Sequence, residues 1–170
     1  MRLIGLVGAK GSGKSTAAKL LNAQCNYHTM SMATPIRNML LSLGITPRQL
    51  HEDKEEIIPA FGMTGRHMLQ TLGTEWGRKI DPDIWVKAMK LEINASPWDI
   101  CIDDVRFDNE ADMIHWFGGQ LVYIKRSSVE TQEDEHESER YYKELPYDSV
   151  VVNNGNIADL HTKLMQILKK

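Results

Sequence analysis

The sequence predicts an α/β fold in which helices flank a parallel sheet. Short apolar runs alternate along the chain with segments of helical periodicity, which is typical of this class. The first apolar run ends in a glycine-rich turn that opens a helix directly. With 170 residues, 42% of them hydrophobic, the chain can bury roughly 70% of its unfolded surface. We therefore expect a single domain over residues 1–170.

The predicted strands are short, almost continuously apolar runs, as expected for strands buried on both faces. In chain order they cover 2–7, a weaker run at 27–31, then 98–105, 120–125 and 149–152. Helical spacing of apolar residues predicts helices over 15–24, 33–43, 65–80, 82–95, 108–117 and 156–168. The long, mostly helical stretch between the second and third strands predicts an insertion over about 33–96. A second departure, 127–146, is too polar for a core.

Composition excludes several classes of function. The net charge of −3 argues against a surface that binds duplex nucleic acid through bulk charge. Cys25 and Cys101 lie far apart and outside any metal-ligand spacing, which argues against a zinc site or a disulfide framework. No apolar run approaches the length of a membrane span or of a signal-peptide core. We expect a protein of the reducing cytoplasm, without a membrane or nucleic-acid partner.

One segment matches the phosphate-binding motif GxxxxGK[ST] at every fixed position. It consists of Gly8, Ala9, Lys10, Gly11, Ser12, Gly13, Lys14 and Ser15, and Thr16 follows it. Glycines let successive backbone N–H groups converge on phosphate oxygens at the positive end of the next helix. We expect Lys14 to reach the β- and γ-phosphates of a nucleoside triphosphate and Ser15 to bind Mg²⁺. The alternative is a glycine-rich turn that merely connects two elements.

The rest of the sequence favours a small-molecule kinase among the proteins that use this loop. Asn153-Asn154-Gly155 does not fit a guanine-reading motif, and the chain is short for a motor or helicase. Asp103 and Asp104 end an apolar strand, where an acid can orient the Mg²⁺ shell, although an acid there is also a common turn residue. Arg106 follows them at an edge where α/β folds place ligands.

The predicted helix over 65–80 carries two distinct stripes. The stripe expected to be buried consists of Met68, Leu69, Leu72 and Trp76, and the other of Arg66, Gln70, Gly73 and Gly77. Since glycine inside a helix costs about 1 kcal/mol, its presence predicts that something approaches the backbone closely. We expect Gln70 to read a base edge and Arg66 or Arg78 to bind a phosphate. The alternatives are a helix that breaks at Gly73 and, for Trp76 and Trp85, core packing instead of base stacking.

Several segments together resemble bacteriophage-type deoxynucleoside monophosphate kinases. They cover 33–37, 66–78, 83–86, 104–111, 118–119, 134–139 and 148–155, so the resemblance runs through most of the chain. The R-xx-LQ-x-LGTE stretch from Arg66 and the DVRF-x-NEA stretch from Asp104 are far more selective than the phosphate loop. His136 belongs to these segments, and a structural hydrogen bond is its simplest interpretation.

The resemblance implies a P-loop kinase fold, with a parallel five-stranded sheet, a helical acceptor-binding insertion and a short lid over about 126–146. It implies transfer of the γ-phosphoryl group of ATP, with Mg²⁺, to a deoxynucleoside monophosphate. The acceptor side would comprise Arg37, Arg66, Gln70, Trp76, Arg78, Asp104 and Arg106. Arg126 and Arg140 would be lid arginines and, with Lys14 and Asp104, the catalytic groups. Asn153, Asn154 and Gly155 would border the adenine.

Two other functions remain open at this point. A hydroxyl-acceptor kinase, such as one resembling dephospho-coenzyme A kinase, shares the loop and lid and would use Asp104 as its base. A nucleotide-dependent switch or binding protein would show little turnover. The partners expected are small molecules, a homodimer is compatible with the family, and a phage-encoded chain would act in the host cytoplasm.

Overall fold

The computed structural model describes residues 1–129 and 141–168. In chain order the elements are β1 (Leu3–Val7), α1 (Lys14–Cys25), β2 (Tyr27–Met30), α2 (Thr34–Leu41), α3 (Pro47–His51), β3 (Ile57–Ile58), β4 (Met63–Thr64), α4 (Gly65–Gln70), a π-helical segment (Thr71–Gly77), α5 (Arg78–Ile80), α6 (Ile84–Ala95), β5 (Asp99–Ile102), α7 (Asp108–Trp116), β6 (Gln120–Lys125), a short 3₁₀ turn (Tyr141–Lys143), β7 (Ser149–Val152) and α8 (Ile157–Leu168). None of the described helices is both long and apolar enough to cross a membrane.

The chain divides into two compact units, each with its own packing. The first, which we call the sheet unit, consists of Met1–Ser31 and Ile93–Lys170, and the second, the helical unit, covers Met32–Glu92. That the whole chain acts as one domain, with the helical unit as its acceptor-binding insertion, stays a prediction.

The sheet unit is built on five parallel strands in the order β2-β5-β1-β6-β7. This confirms the predicted parallel five-stranded sheet. Its central strand, β1, is buried along its whole length, which explains why its sequence is continuously apolar. Because all strands are parallel, their carboxyl ends meet at one edge, where the loops after β1, β5, β6 and β7 begin.

Helices cover both faces of this sheet. On one face α1 and α8 pack over a cluster of buried side chains that includes Leu6, Leu21, Val122 and Leu160. On the other face α7 contacts β1 and β6, with Ile114 close to Gly5. The predicted helices 15–24, 108–117 and 156–168 correspond to α1, α7 and α8.

The helical unit has a separate small core formed by Leu40, Ile45, Leu50 and Ile58. Met68, Leu69 and Leu72 pack against it, as predicted for the buried stripe of the 65–80 helix. Trp76, however, is 44% exposed, so its place in that stripe was predicted wrongly. The helix does not break at Gly73; it continues through the π-helical segment from α4 into α5.

Two small elements of the helical unit were not predicted. The helix α3 begins with a capping box, in which Thr46 Oγ1 accepts from Gln49 N at 3.4 Å while Thr46 N donates to Gln49 Oε1 at 2.9 Å. Its signal, Thr-Pro-x-Gln, is visible in the sequence. The hairpin β3–β4 pairs only two residues in each strand, too few to show a strand pattern.

Candidate active site

The phosphate loop connects β1 to α1 and requires glycine at two positions. Gly8 and Gly13 have φ values of 146° and 108°, which side chains rarely tolerate. A Cβ on Gly8 would collide with the carbonyl oxygen of Ile124, and one on Gly13 with the side-chain amide of Asn153. The glycines of the motif therefore serve both the turn and the close packing of β6 and the segment after β7 against it.

Lys14 folds back over this loop. Its Nζ donates to the carbonyl oxygens of Gly8 at 2.6 Å and Ala9 at 2.8 Å. The ammonium group is thus held beside the loop at the first residue of α1, where the partial positive charge of the helix end adds to its own. This arrangement suits the binding of phosphate groups.

Asn153 ties the segment after β7 to the phosphate loop. It is only 8% exposed, its backbone N donates to Lys125 O at 2.7 Å, and its Nδ2 donates to Ser12 O at 2.8 Å. Asn154 holds the neighbouring loop, since its Oδ1 accepts from Ser127 N at 3.0 Å and its Nδ2 donates to Ser127 Oγ at 2.9 Å. Both asparagines therefore fix loops together.

A cleft of about 510 Å³ opens next to these loops. Its lining comprises Gly13, Thr16, Arg126, Asn153, Gly155, Asn156, Ile157, Ala158 and Leu160. The volume lies within the range of small-molecule sites. The phosphate loop and α1 line one side of the cleft, and the start of α8 lines the other. The cleft offers apolar surface that suits a base, and it carries the exposed guanidinium of Arg126.

The carboxylate of Asp104 lies past the carboxyl end of β5. Ser31 Oγ, just past the end of β2, donates to Asp104 Oδ2 at 2.5 Å. Asp103 N donates to Met30 O at 3.2 Å, so the acidic pair is fixed against the end of β2. Sequence reasoning missed Ser31; its position at the end of the weakly predicted strand beside β5 was the available signal.

The motif residue Glu110 has a structural role. Its carboxylate is 3% exposed and its Oε2 accepts from the backbone N of Arg106 at 2.8 Å and of Phe107 at 3.3 Å. It therefore caps the first turn of α7 and fixes the backbone of Arg106.

The remaining acceptor candidates all lie in the helical unit. They are Arg37, Arg66, Gln70, Trp76 and Arg78. The Nε of Arg66 pairs with Glu55 Oε1 at 2.5 Å, and Arg78 Nη1 donates to Pro82 O at 3.1 Å.

The position of Arg37 is indicated by its effect on His51. Burial and, second, the nearby charge of Arg37 hold the pKa of His51 below its usual value. The charge of Arg37 therefore lies near His51, the last residue of α3.

Something does approach Gly73 and Gly77 closely, as predicted, but it belongs to the protein itself. A Cβ on Gly73 would lie 2.9 Å from Ile36 Cδ1, and one on Gly77 would collide with the Trp85 indole. Trp85 is 5% exposed and its Nε1 donates to Gly73 O at 2.7 Å. Core packing is thus the correct interpretation for Trp85. Gly73 and Gly77 make room for this packing, so a ligand is not needed to explain them.

The catalytic candidate Arg140 and the motif residue His136 lie outside the described residues, as does most of the predicted lid. Of the two predicted lid arginines, the structure places only Arg126, at the cleft.

Comparison with known proteins identifies the family of this chain. A sequence model of the deoxynucleotide monophosphate kinase family matches residues 51–164. A candidate deoxynucleotide monophosphate kinase from Acanthamoeba polyphaga mimivirus is 32% identical over 97% of this chain and 95% of its own. A deoxynucleoside-5'-monophosphate kinase from Escherichia phage T5 is 27% identical over 66% of this chain and 71% of its own.

Solved structures show the fold alone. Shikimate kinase from Aquifex aeolicus superposes with a TM-score of 0.54 at 16% identity, covering 98% of this chain and 96% of its own. Shikimate kinase from Acinetobacter baumannii gives 0.51 at 14% identity, with 99% and 93% covered. By the extent of its family match and its 32% identity to a relative matched over 95% of that relative's length, the chain belongs to the deoxynucleotide monophosphate kinase family.

Proposed function

We propose that this protein transfers the γ-phosphoryl group of ATP to a deoxynucleoside monophosphate, giving ADP and a deoxynucleoside diphosphate. The observation that carries the proposal is the Lys14 ammonium held at the phosphate loop, in a chain whose family phosphorylates deoxynucleotides. Membership in the family supplies the acceptor class, and the loop supplies the donor site.

ATP binds along the phosphate loop, with its base in the adjoining cleft. The backbone N–H groups of Gly11 to Thr16 and the side chain of Lys14 bind the phosphates. Asn153 and Gly155, which line the cleft, border the base, and the guanidinium of Arg126 lies at the cleft. Asn154 is not among the lining residues, and its part in this proposal is to hold the loop at Ser127 beside the cleft. Arg126 is exposed, so it can turn toward phosphate or base without losing a buried contact.

The described residues fit a Mg²⁺ ion bound mainly by phosphate oxygens. No group of three or more His, Cys, Asp or Glu side chains is gathered anywhere in residues 1–129 and 141–168. Mg²⁺ in such enzymes takes one or two protein ligands and completes its shell with substrate phosphates and water. The hydroxyl of Ser15 would bind it directly, with Asp103 or Asp104 holding water ligands. When bound, the ion offsets charge on the transferring phosphoryl group.

The acceptor requires little chemistry from the protein. A phosphate monoester is largely dianionic at pH 7, because its second pKa is about 6, and its oxygen can attack without a general base. The protein's work is to bring two anions together and to exclude water. Arg37, Arg66, Gln70, Arg78 and Arg106 bind the acceptor in this proposal. Trp76 is 44% exposed, but it lies two residues before Arg78 on the same helix and therefore faces away from Arg78, so the proposal gives it no contact with the acceptor.

A hydroxyl-acceptor kinase is the alternative that one observation favours. Asp104 accepts a hydrogen bond from Ser31, and a carboxylate fixed in this way would be a suitable base for an alcohol. The family match begins at residue 51 and includes Arg66, Gln70 and Arg78, and it supports a deoxynucleoside monophosphate as the acceptor instead.

Coupled ADP release separates these functions. The purified protein with Mg²⁺-ATP is offered each deoxynucleoside and ribonucleoside monophosphate and, separately, dephospho-coenzyme A. We expect ADP release above background with particular deoxynucleotides. Turnover with dephospho-coenzyme A alone would instead establish the hydroxyl-acceptor function, and ADP release independent of every acceptor would leave only a nucleotide-hydrolysing or switch protein.

A further inference from the structure

The π-helical segment changes which side chains share a face along the continuous helix that runs from α4 to α5. An α-helix turns by about 100° per residue, so an α-helix over this stretch would place Arg78 about 120° away from Arg66. In a π-helix each hydrogen bond reaches one residue farther, which reduces the turn to roughly 82° per residue. With the seven residues Thr71–Gly77 in the wider turn, Arg78 returns to within about 10° of Arg66.

The same geometry groups the helix into stripes of residues four apart. Arg66, Gln70, Thr74 and Arg78 form one stripe, which we call the acceptor face, and all four are half-buried. Leu69, Gly73 and Gly77 form the next stripe, whose two glycines meet Ile36 and Trp85. Because the acceptor face extends along roughly 16 Å of helix axis, the base and phosphate of one nucleotide can contact different residues of it.

Trp85 holds the wide turn in place. Its indole N–H donates to Gly73 O at 2.7 Å, the carbonyl that an α-helix would use for the N–H of Gly77. Its ring lies against Gly77, where a Cβ would meet Cε2 at 2.8 Å and Nε1 at 3.0 Å. One buried side chain thus occupies both the carbonyl and the space that the return to an α-helix needs.

We propose that Trp85, by holding the π-helical segment, is a positioning residue that aligns Arg66, Gln70, Thr74 and Arg78 as one face for the deoxynucleoside monophosphate. This rests on the proposed function and adds Thr74 to the acceptor contacts. π-Helical turns are rare in proteins, and those that do occur are often found at functional sites. Here the turn brings two arginines and two polar side chains to a single side of the helix.

The test replaces Trp85 by Phe, which keeps an aromatic ring but removes the N–H donor. We expect the KM for the deoxynucleoside monophosphate, and its Kd measured by calorimetry without ATP, to rise about tenfold. The KM for ATP should stay unchanged. Trp98→Phe is the matched control, because Trp98 is 60% exposed and belongs to the sheet unit.

A double variant distinguishes positioning from a merely structural role. If Trp85 acts by aligning Arg78, then adding Trp85→Phe to Arg78→Gln should raise the acceptor Kd little further. The proposal would be overturned if the two substitutions multiplied their separate effects on the acceptor Kd in the double variant. A rise in the KM of both substrates together with a large fall in melting temperature would also overturn it, because Trp85 would then act through stability. An unchanged acceptor Kd in Trp85→Phe would likewise overturn the proposal.

A second pair of variants decides the matter if Trp85→Phe does not fold. Thr74→Val removes a hydroxyl from the acceptor face and should weaken acceptor binding about fivefold. Thr71→Val makes the same chemical change on another stripe, where Thr71 Oγ1 has no hydrogen-bond partner among the described residues, and should leave binding unchanged. Equal effects of the two would overturn the proposal. A wild-type protein that turns over no deoxynucleotide would overturn the proposed function and this inference with it.

Discussion

Lys14 donates its Nζ hydrogens to two carbonyl oxygens of its own loop, at 2.6 and 2.8 Å. These bonds lie within the phosphate loop, so they orient the ammonium group and do not join the loop to another helix or strand. Replacement by alanine should therefore lower turnover by about 10²–10³-fold, the usual cost of removing one charge-stabilising donor. The melting temperature should change little.

Steady-state kinetics and thermal unfolding check this expectation together. Lys19→Ala is the control, because Lys19 is an exposed residue of the same helix and contributes no group to the loop. A melting temperature of Lys14→Ala far below that of the wild type would show that Lys14 is a structural residue of the loop.

At the scale of the element, the amino ends of β1 and β5 are joined by an ion pair. Asp99 accepts from Arg2 N at 2.5 Å and from Arg2 Nε at 2.7 Å. The backbone N–H of Arg2 and, second, its guanidinium hydrogen bond hold the pKa of Asp99 below its usual 3.8. Because the folded-state pKa lies below the unfolded one, the stabilisation is present above pH 3.8 and is lost as the pH falls through the folded value.

Asp99→Asn should accordingly lower the free energy of unfolding by about 1 kcal/mol at pH 7, a small value because Arg2 is largely exposed. The difference from the wild type should shrink as urea unfolding is repeated toward about pH 3. Asp112→Asn, on the exposed side of α7, provides the control. If Asp99→Asn lowers the free energy of unfolding by the same amount at pH 7 and at about pH 3, the substitution removes packing rather than charge.

How far the sequence predicts an element depends on where its determining contacts lie. β1, α1, β6 and β7 follow from local apolar runs and from the glycine motif, so their bounds are predicted within about two residues. The π-helical segment is not predictable in this way, since it depends on Trp85, which is distant in sequence from Gly73. The same holds for the site: the loop residues are a contiguous motif, whereas Ser31 reaches Asp104 only because β2 and β5 are neighbours.

At the scale of the whole molecule, the donor cleft belongs to the sheet unit and the acceptor face to the helical unit. Each ligand should therefore protect a different part of the chain. In hydrogen exchange, ATP alone should slow residues 8–16 and 153–158, and a deoxynucleoside monophosphate alone should slow residues 65–80.

Saturating ATP should also raise the melting temperature, because a ligand at 100 times its Kd stabilises the folded state by about 2.7 kcal/mol. For a chain of this length that corresponds to roughly 5–10 °C. Shikimate is the matched control: the likeness to shikimate kinases extends to the fold alone, so shikimate should cause neither a shift nor protection. Protection of residues 65–80 by ATP without an acceptor would place the donor on the helical unit and contradict the assignment of the two sites, because the helical unit contains no part of the phosphate loop.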